Sequence, residues 1–218
     1  MPFKSLLINV LMTFKSSIQR NSLIIKTTTL AFIIFISISV IAAILVFSFA
    51  PELSDRLSEL IETTLNIGDD IPSPYTGDFF SYIFLNNSGH FWNPIRMLVW
   101  IPVLGPVLLA LEILVNSGVI GMIAVTVGIN KGIAYPIIGL VPHGIIEIPA
   151  FLLQLSCIIL WQTTITEAIV TKFRRKTLEK VKIKLDLRDT LVLAVASLIL
   201  FLIAAAIETY VTPFLLGL

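Results

Sequence analysis

The sequence predicts an all-α integral membrane protein with about five transmembrane helices, some broken or re-entrant, behind an N-terminal amphipathic helix. Three observations carry this. Of the 218 residues, 56% are hydrophobic and only 13% charged, whereas a soluble domain carries about 25% charged residues. Thr27 to Ala50 holds no charge over 24 residues, and about 20 apolar residues in a helix cross the roughly 30 Å hydrocarbon core. The charges that do occur are segregated along the chain. The natural division is an interfacial segment, 1–22, and a single membrane domain, 23–218.

In residues 1–22, Phe3, Leu6, Leu7, Val10, Leu11, Phe14 and Ile18 recur at helical spacing, while Lys4, Asn9, Lys15 and Ser16 point elsewhere. A basic amphipathic helix of this kind lies at headgroup level or packs on its own membrane domain. The segment is too polar for a cleavable signal, and no small-residue cleavage site follows the first apolar run. The first span, Thr27–Ala50, is therefore expected to stay as an anchor.

Residues 51–94 come next. Ser54 is placed to cap a helix with Leu53, Leu57, Leu60, Ile61 and Leu65 on one face. The prolines and glycines of IGDDIPSPYTG then mark an irregular loop. Phe79 to Leu85 is apolar but too short to span, and reads as a re-entrant or surface helix that Asn86 or Asn87 ends. Four further spans follow at about Ile95–Leu111, Ile113–Ile129, Tyr135–Thr164 and Thr190–Ile207. The first of these is interrupted by Pro102, Gly105 and Pro106. Only a turn around Glu112 to Asn116 separates it from the next.

Charge sets the expected orientation. The first 26 residues carry Lys4, Lys15, Arg20 and Lys26 with no acid, and residues 172–189 carry eight basic residues. Pro51 to Asp78 carries seven acids and only Arg56. Basic loops are retained in the cytoplasm. The N-terminus and the 172–189 loop are thus expected inside, with 51–78 and the C-terminus outside. The cell membrane is the expected location. The single cysteine, Cys157, excludes an internal disulfide and a cysteine-based metal cluster, and fits core packing.

Glu112, Glu147 and Glu208 lie within apolar runs. An acid at the bilayer centre costs about 2.5–3.5 kcal/mol on insertion scales, so such groups face the protein interior, paired or protonated. Glu112 is the cheapest if it sits at a turn. His143 and Glu147 are four apart and share one face of a helix. Pro142 fits the first turn of a helix starting there, Gly144 admits a close backbone, and Pro149 should break or kink the helix. Glu208 is expected to join His143 and Glu147 in one buried polar cluster, the alternative being a carboxylate that snorkels to the interface. Two ligands do not make a metal site, and neither His-Glu-x-x-His, a serine nucleophile pattern nor a phosphate loop occurs. The expectation is a protein that is not an enzyme, with no cofactor and no metal.

Pro142-His143-Gly144-x-x-Glu147 resembles the signature of the stage II sporulation protein M family. Asn86-Asn87, Asn116 with Gly121 five residues on, and Ile207-Glu208 followed by Pro213 agree, in order, over roughly 79–214. Ser117 stands where the family pattern suggests glycine, and Leu152 to Trp161 is bulkier than the stretch that follows the motif in the family. The resemblance implies an all-helical membrane domain with no assigned catalytic activity. In spore-forming bacteria, members act as membrane partners of stage II sporulation proteins D and P, which cut septal wall; relatives also occur where no spores form. The expected partners are the lipid bilayer and membrane or envelope proteins, with a homo-oligomer compatible and no nucleic acid. The alternative is a small transporter or a lipid- or ion-handling protein using His143, Glu147 and Glu208.

Overall fold

A computed structural model of the chain describes residues 2–50, 52–53, 56, 59 and 72–217. The helix expected over Ser54, Leu57, Leu60, Ile61 and Leu65 lies outside the described residues. Among the described residues every element is helical. In order they are α1 (Pro2–Arg20), α2 (Ser22–Phe49), α3 (Gly77–Asn87), two 3-10 turns (Gly89–Phe91 and Arg96–Trp100), α4 (Leu104–Lys131), α5 (Ala134–Phe173), α6 (Lys180–Ala206), a π turn (Ile207–Val211) and α7 (Thr212–Leu216).

Four stretches are long and apolar enough to cross a membrane: α2, α4, α5, and the run from α6 through α7. At about 1.5 Å per residue, the 28 residues of α2 reach about 42 Å, more than the roughly 30 Å core. Ile33 and Ile41 on α2 are more than half exposed, as side chains facing acyl chains must be.

Three boundaries differ from those expected. Residues 104–131 form one helix, so no turn occurs at Glu112–Asn116 and Glu112 lies half-buried in mid-helix. No proline interrupts this stretch beyond its first turn, and Gly118 is tolerated inside it because intrinsic propensity yields to context. The break falls earlier, between Trp100 and Leu104. There Val103 adopts φ 77°, a conformation that strains a β-branched residue. Second, α5 begins at Ala134, beside the expected start of the span at Tyr135, but runs unbroken past Pro142 and Pro149, where a break is expected. Each ring removes one donor, but the helix continues on either side. Third, α6 begins ten residues before Thr190, at Lys180.

Local chemistry explains the other joints. Thr76 caps α3: its Oγ1 accepts from the Phe79 N–H at 3.1 Å and donates to the Ser73 carbonyl. The turn from α4 into α5 needs a left-handed residue, and Gly132 supplies it at φ 88°. Pro213 has no N–H, so the Thr209 carbonyl loses its i+4 donor. The Tyr75 N–H donates to that carbonyl instead, at 3.3 Å.

The chain folds into two compact units. The first comprises Met1–Leu30, Ser88–Ala110 and Glu147–Phe201. Its fully buried side chains include Leu155, Cys157, Ile158, Leu193 and Phe201. The second comprises Ala31–Asn87, Leu111–Ile146 and Leu202–Leu218. Within it α2 and α4 meet closely. A Cβ on Gly121 would lie 2.5 Å from Ser39 Oγ, and that hydroxyl donates to the Gly118 carbonyl at 3.1 Å. Small residues at such crossings let apolar helices approach.

Candidate functional site

Polar side chains buried in apolar helices are the natural place to look for function. In the second unit the focus is His143. It is buried, and its Nδ1 lies 3.3 Å from Oγ1 of Thr212, the first residue of α7. A His143 ring nitrogen and a Glu208 carboxylate oxygen lie within 4.8 Å of each other. Glu208 is half-buried and falls in the π turn, an irregularity frequent at functional sites. Glu147 is one turn beyond His143 on α5, half-buried, on the same helical face. Imidazole nitrogen and carboxylate oxygen are donors that divalent cations take.

The remaining motif residues are spread out. Pro142 and Gly144 are half-buried and Pro149 is exposed. A Cβ on Gly144 would meet nothing within 4 Å, so the close backbone approach expected there does not occur; Gly121 is the glycine that has one. Asn116 is half-buried on α4, five residues before it. At the end of α3, Asn86 is exposed and Asn87 half-buried. Ser117 is fully buried, and its hydroxyl has no hydrogen-bond partner.

The first unit holds two polar groups that the sequence reading did not single out. One is a seam along α5. His90 Nδ1 pairs with Gln154 Oε1 at 2.9 Å, both side chains buried. Trp100 Nε1 donates to the His90 carbonyl at 2.8 Å, and Trp161 Nε1 to the Trp100 carbonyl at 3.0 Å. Gln162 Nε2 donates to the Val99 carbonyl. The Trp100 and Trp161 rings meet edge-to-face, centroids 6.0 Å apart, an arrangement aromatic pairs favour. Each bond satisfies a backbone carbonyl or a buried amide that would otherwise be costly in hydrocarbon. The signal for it was two glutamines eight residues apart in an apolar run, on one face of a helix.

The other group is built on Asp189, 1% exposed near the start of α6. Oδ1 accepts from Ser17 Oγ at 2.8 Å and Arg20 Nη2 at 2.6 Å, while Oδ2 accepts from Arg20 Nε at 2.8 Å and Asn21 Nδ2 at 3.1 Å. The arginine grips the carboxylate in a two-pronged fashion, the strongest form of such a pair. Val10 and Leu11 of the expected apolar face of α1 are more than half exposed, while residues at its C-terminal end hold α6. The helix is thus fastened by its polar end and leaves apolar side chains free.

Compared with known protein families, the chain matches the model described as stage II sporulation protein M over residues 29–213, most of its length. No curated protein and no solved structure matches it.

Proposed function

The chain belongs to the stage II sporulation protein M family, and from that premise we propose that it is a non-enzymatic membrane scaffold, a partner within an envelope-associated complex. What supports this is how the buried polar side chains of the first unit are used. His90, Gln154, Trp161 and Gln162 hold one segment to another, which stiffens the unit as a frame requires. The exposed apolar residues of α1, fastened through Asp189, fit a helix seated on the bilayer surface.

The orientation we propose follows charge: N-terminus and 172–189 loop in the cytoplasm, 51–78 and C-terminus outside. Four crossings would put the basic loop outside, so a fifth is needed between residues 78 and 172. Single cysteines at Ser73 and Thr177, in a Cys157→Ala background, test it. Labelling of the Thr177 site by an impermeant thiol reagent from outside intact cells would sink the five-passage arrangement.

The scaffold is tested by purification in native lipid particles with quantitative mass spectrometry. A stoichiometric envelope protein should co-purify, and its loss on deleting α1 supports the reading; its absence from every preparation overturns it. Proximity of His143 and Glu208 inside apolar helices favours the second reading, an ion path. Proton or cation flux in proteoliposomes that Glu208→Gln abolishes would establish it instead.

A further inference from the structure

The second unit contains an apolar groove of about 670 Å³, walled by α2, α4 and α5. Ile44 and Phe47 of α2, Val125 and Gly128 of α4, and Pro136 and Leu140 of α5 line it. Its polar features lie at one end. Ser48 is in the last turn of α2, and Lys131 is the last residue of α4, between the lining residues Ile129 and Ile133. From that rim the walls run inward along α2 from Ser48 to Val40 and, from Ile133 just before α5, along α5 to Val141. Eight residues of helix are about 12 Å. The hydrocarbon of one leaflet is about 15 Å deep, half of a roughly 30 Å core. The groove is therefore as deep as one leaflet and apolar along its depth, and Lys131, outside the lining itself, lies two residues from Ile129 and from Ile133 at its headgroup end.

Lys131 is exposed and its Nζ stands 4.8 Å from the Tyr135 ring centroid. The ring holds the ammonium near the rim without neutralising it, and an ammonium is a good ligand for phosphate. We infer that this groove is a binding site for an anionic phospholipid, one acyl chain lying between α2, α4 and α5 and the phosphate at Lys131. Bulk lipid would cover an apolar surface of any charge; a cation beside the headgroup end of a leaflet-deep groove selects a headgroup as well.

Gly128 gives a way to close the groove. A Cβ there would meet only Pro136 Cγ, at 3.6 Å, so a larger side chain would grow into the groove rather than into backbone. The purified full-length protein, incubated with mixed micelles of phosphatidylglycerol and phosphatidylcholine, is read by native mass spectrometry. Wild type should retain one phosphatidylglycerol in preference to phosphatidylcholine. Lys131→Gln should lower that preference about fivefold, the effect of one basic residue at an anionic surface. Gly128→Trp should remove the bound lipid. Should Gly128→Trp fail to fold, Lys131→Gln decides alone. Equal retention of the two lipids by wild type, or unchanged preference in Lys131→Gln, overturns the proposal. So does a lipid-free dimer that Gly128→Trp dissociates, which would make the groove an interface between copies of this chain.

Discussion

The two units solve the same problem, polar backbone and side chains in an apolar chain, by different means. The first bonds its buried polar side chains to one another and to backbone carbonyls, in the Asp189 group and the Gln154–Gln162 seam. The second packs by small residues, as where Gly121 meets Ser39, and three of its buried hydroxyls, on Ser117, Thr126 and Thr209, have no hydrogen-bond partner. In the first unit only the Gln154 Nε2 is in that state among the described residues. A satisfied network holds one geometry, because each broken bond strands a partner. Packing by small residues tolerates shifts, and suits a unit with a groove and a π turn. The first unit should therefore respond more steeply to substitution than the second.

The largest effect should come from Asp189. Removing one partner of a buried charge pair costs about 3–5 kcal/mol. Arg20 is 34% exposed, so water recovers part of that loss. Asp189→Ala is expected to destabilise by about 3 kcal/mol in detergent denaturation, and to make α1 the first site of limited proteolysis. A loss under about 1 kcal/mol, the worth of a surface pair, would mean the group does not clamp α1. The Lys182–Glu167 pair serves as the control. Its side chains are 47% and 59% exposed, and Glu167→Gln should change stability by less than about 1 kcal/mol.

Next come two glycines, one in each unit. A Cβ on Gly105 would collide with the Val99 carbonyl and Gln162 Nε2, which are bonded to each other. A Cβ on Gly121 would collide first with the Ser39 hydroxyl, which can rotate away at the cost of its bond to the Gly118 carbonyl, and would press less closely on Ser39 Cβ and the Val40 backbone nitrogen, at 3.0 and 3.1 Å. Overpacking costs about 1–3 kcal/mol. Gly105→Ala should fall at the top of that range and Gly121→Ala at the bottom, by thermal denaturation of matched preparations. The reverse order would break the contrast between the units.

Much of this was legible in the sequence, for physical reasons. Long apolar runs fix membrane helices whatever their partners, and His143, Glu147 and Glu208 stood out because a titratable group in an apolar run is costly. Cost alone thus drew attention to the second unit's His143 and Glu208. The first unit's could not. Asp189 sits among basic residues and looks solvated, and its partners Ser17 and Arg20 lie about 170 residues earlier. Gln154 and Gln162 are uncharged and hid among large apolar neighbours, while His90 is 64 residues from the glutamine it meets. The prolines misled in the opposite direction. Pro142 and Pro149 each remove one donor, but an apolar helix in lipid has no water to take over its carbonyls, so the helix continues. The same reasoning removes the turn expected at Glu112–Asn116.

The smallest effect gives the sharpest test, because it asks for opposite signs from one chemical change. Ser17 and Ser117 are both fully buried. In the first unit, Ser17 Oγ donates to Asp189 at 2.8 Å and accepts from Arg20 at 3.3 Å. In the second, Ser117 Oγ has no partner. Ser17→Ala strands part of a buried carboxylate and should cost about 1–3 kcal/mol. Ser117→Ala removes an unpaired buried hydroxyl and keeps the Cβ, so it should be neutral or stabilise by up to about 1 kcal/mol. Ser117→Gly would confuse the matter, since glycine within a helix itself costs about 1 kcal/mol relative to alanine. Both alanine variants are read by the same detergent denaturation. If Ser117→Ala destabilises as much as Ser17→Ala, its hydroxyl is satisfied by water or by lipid, and the second unit is no looser in its polar bonding than the first.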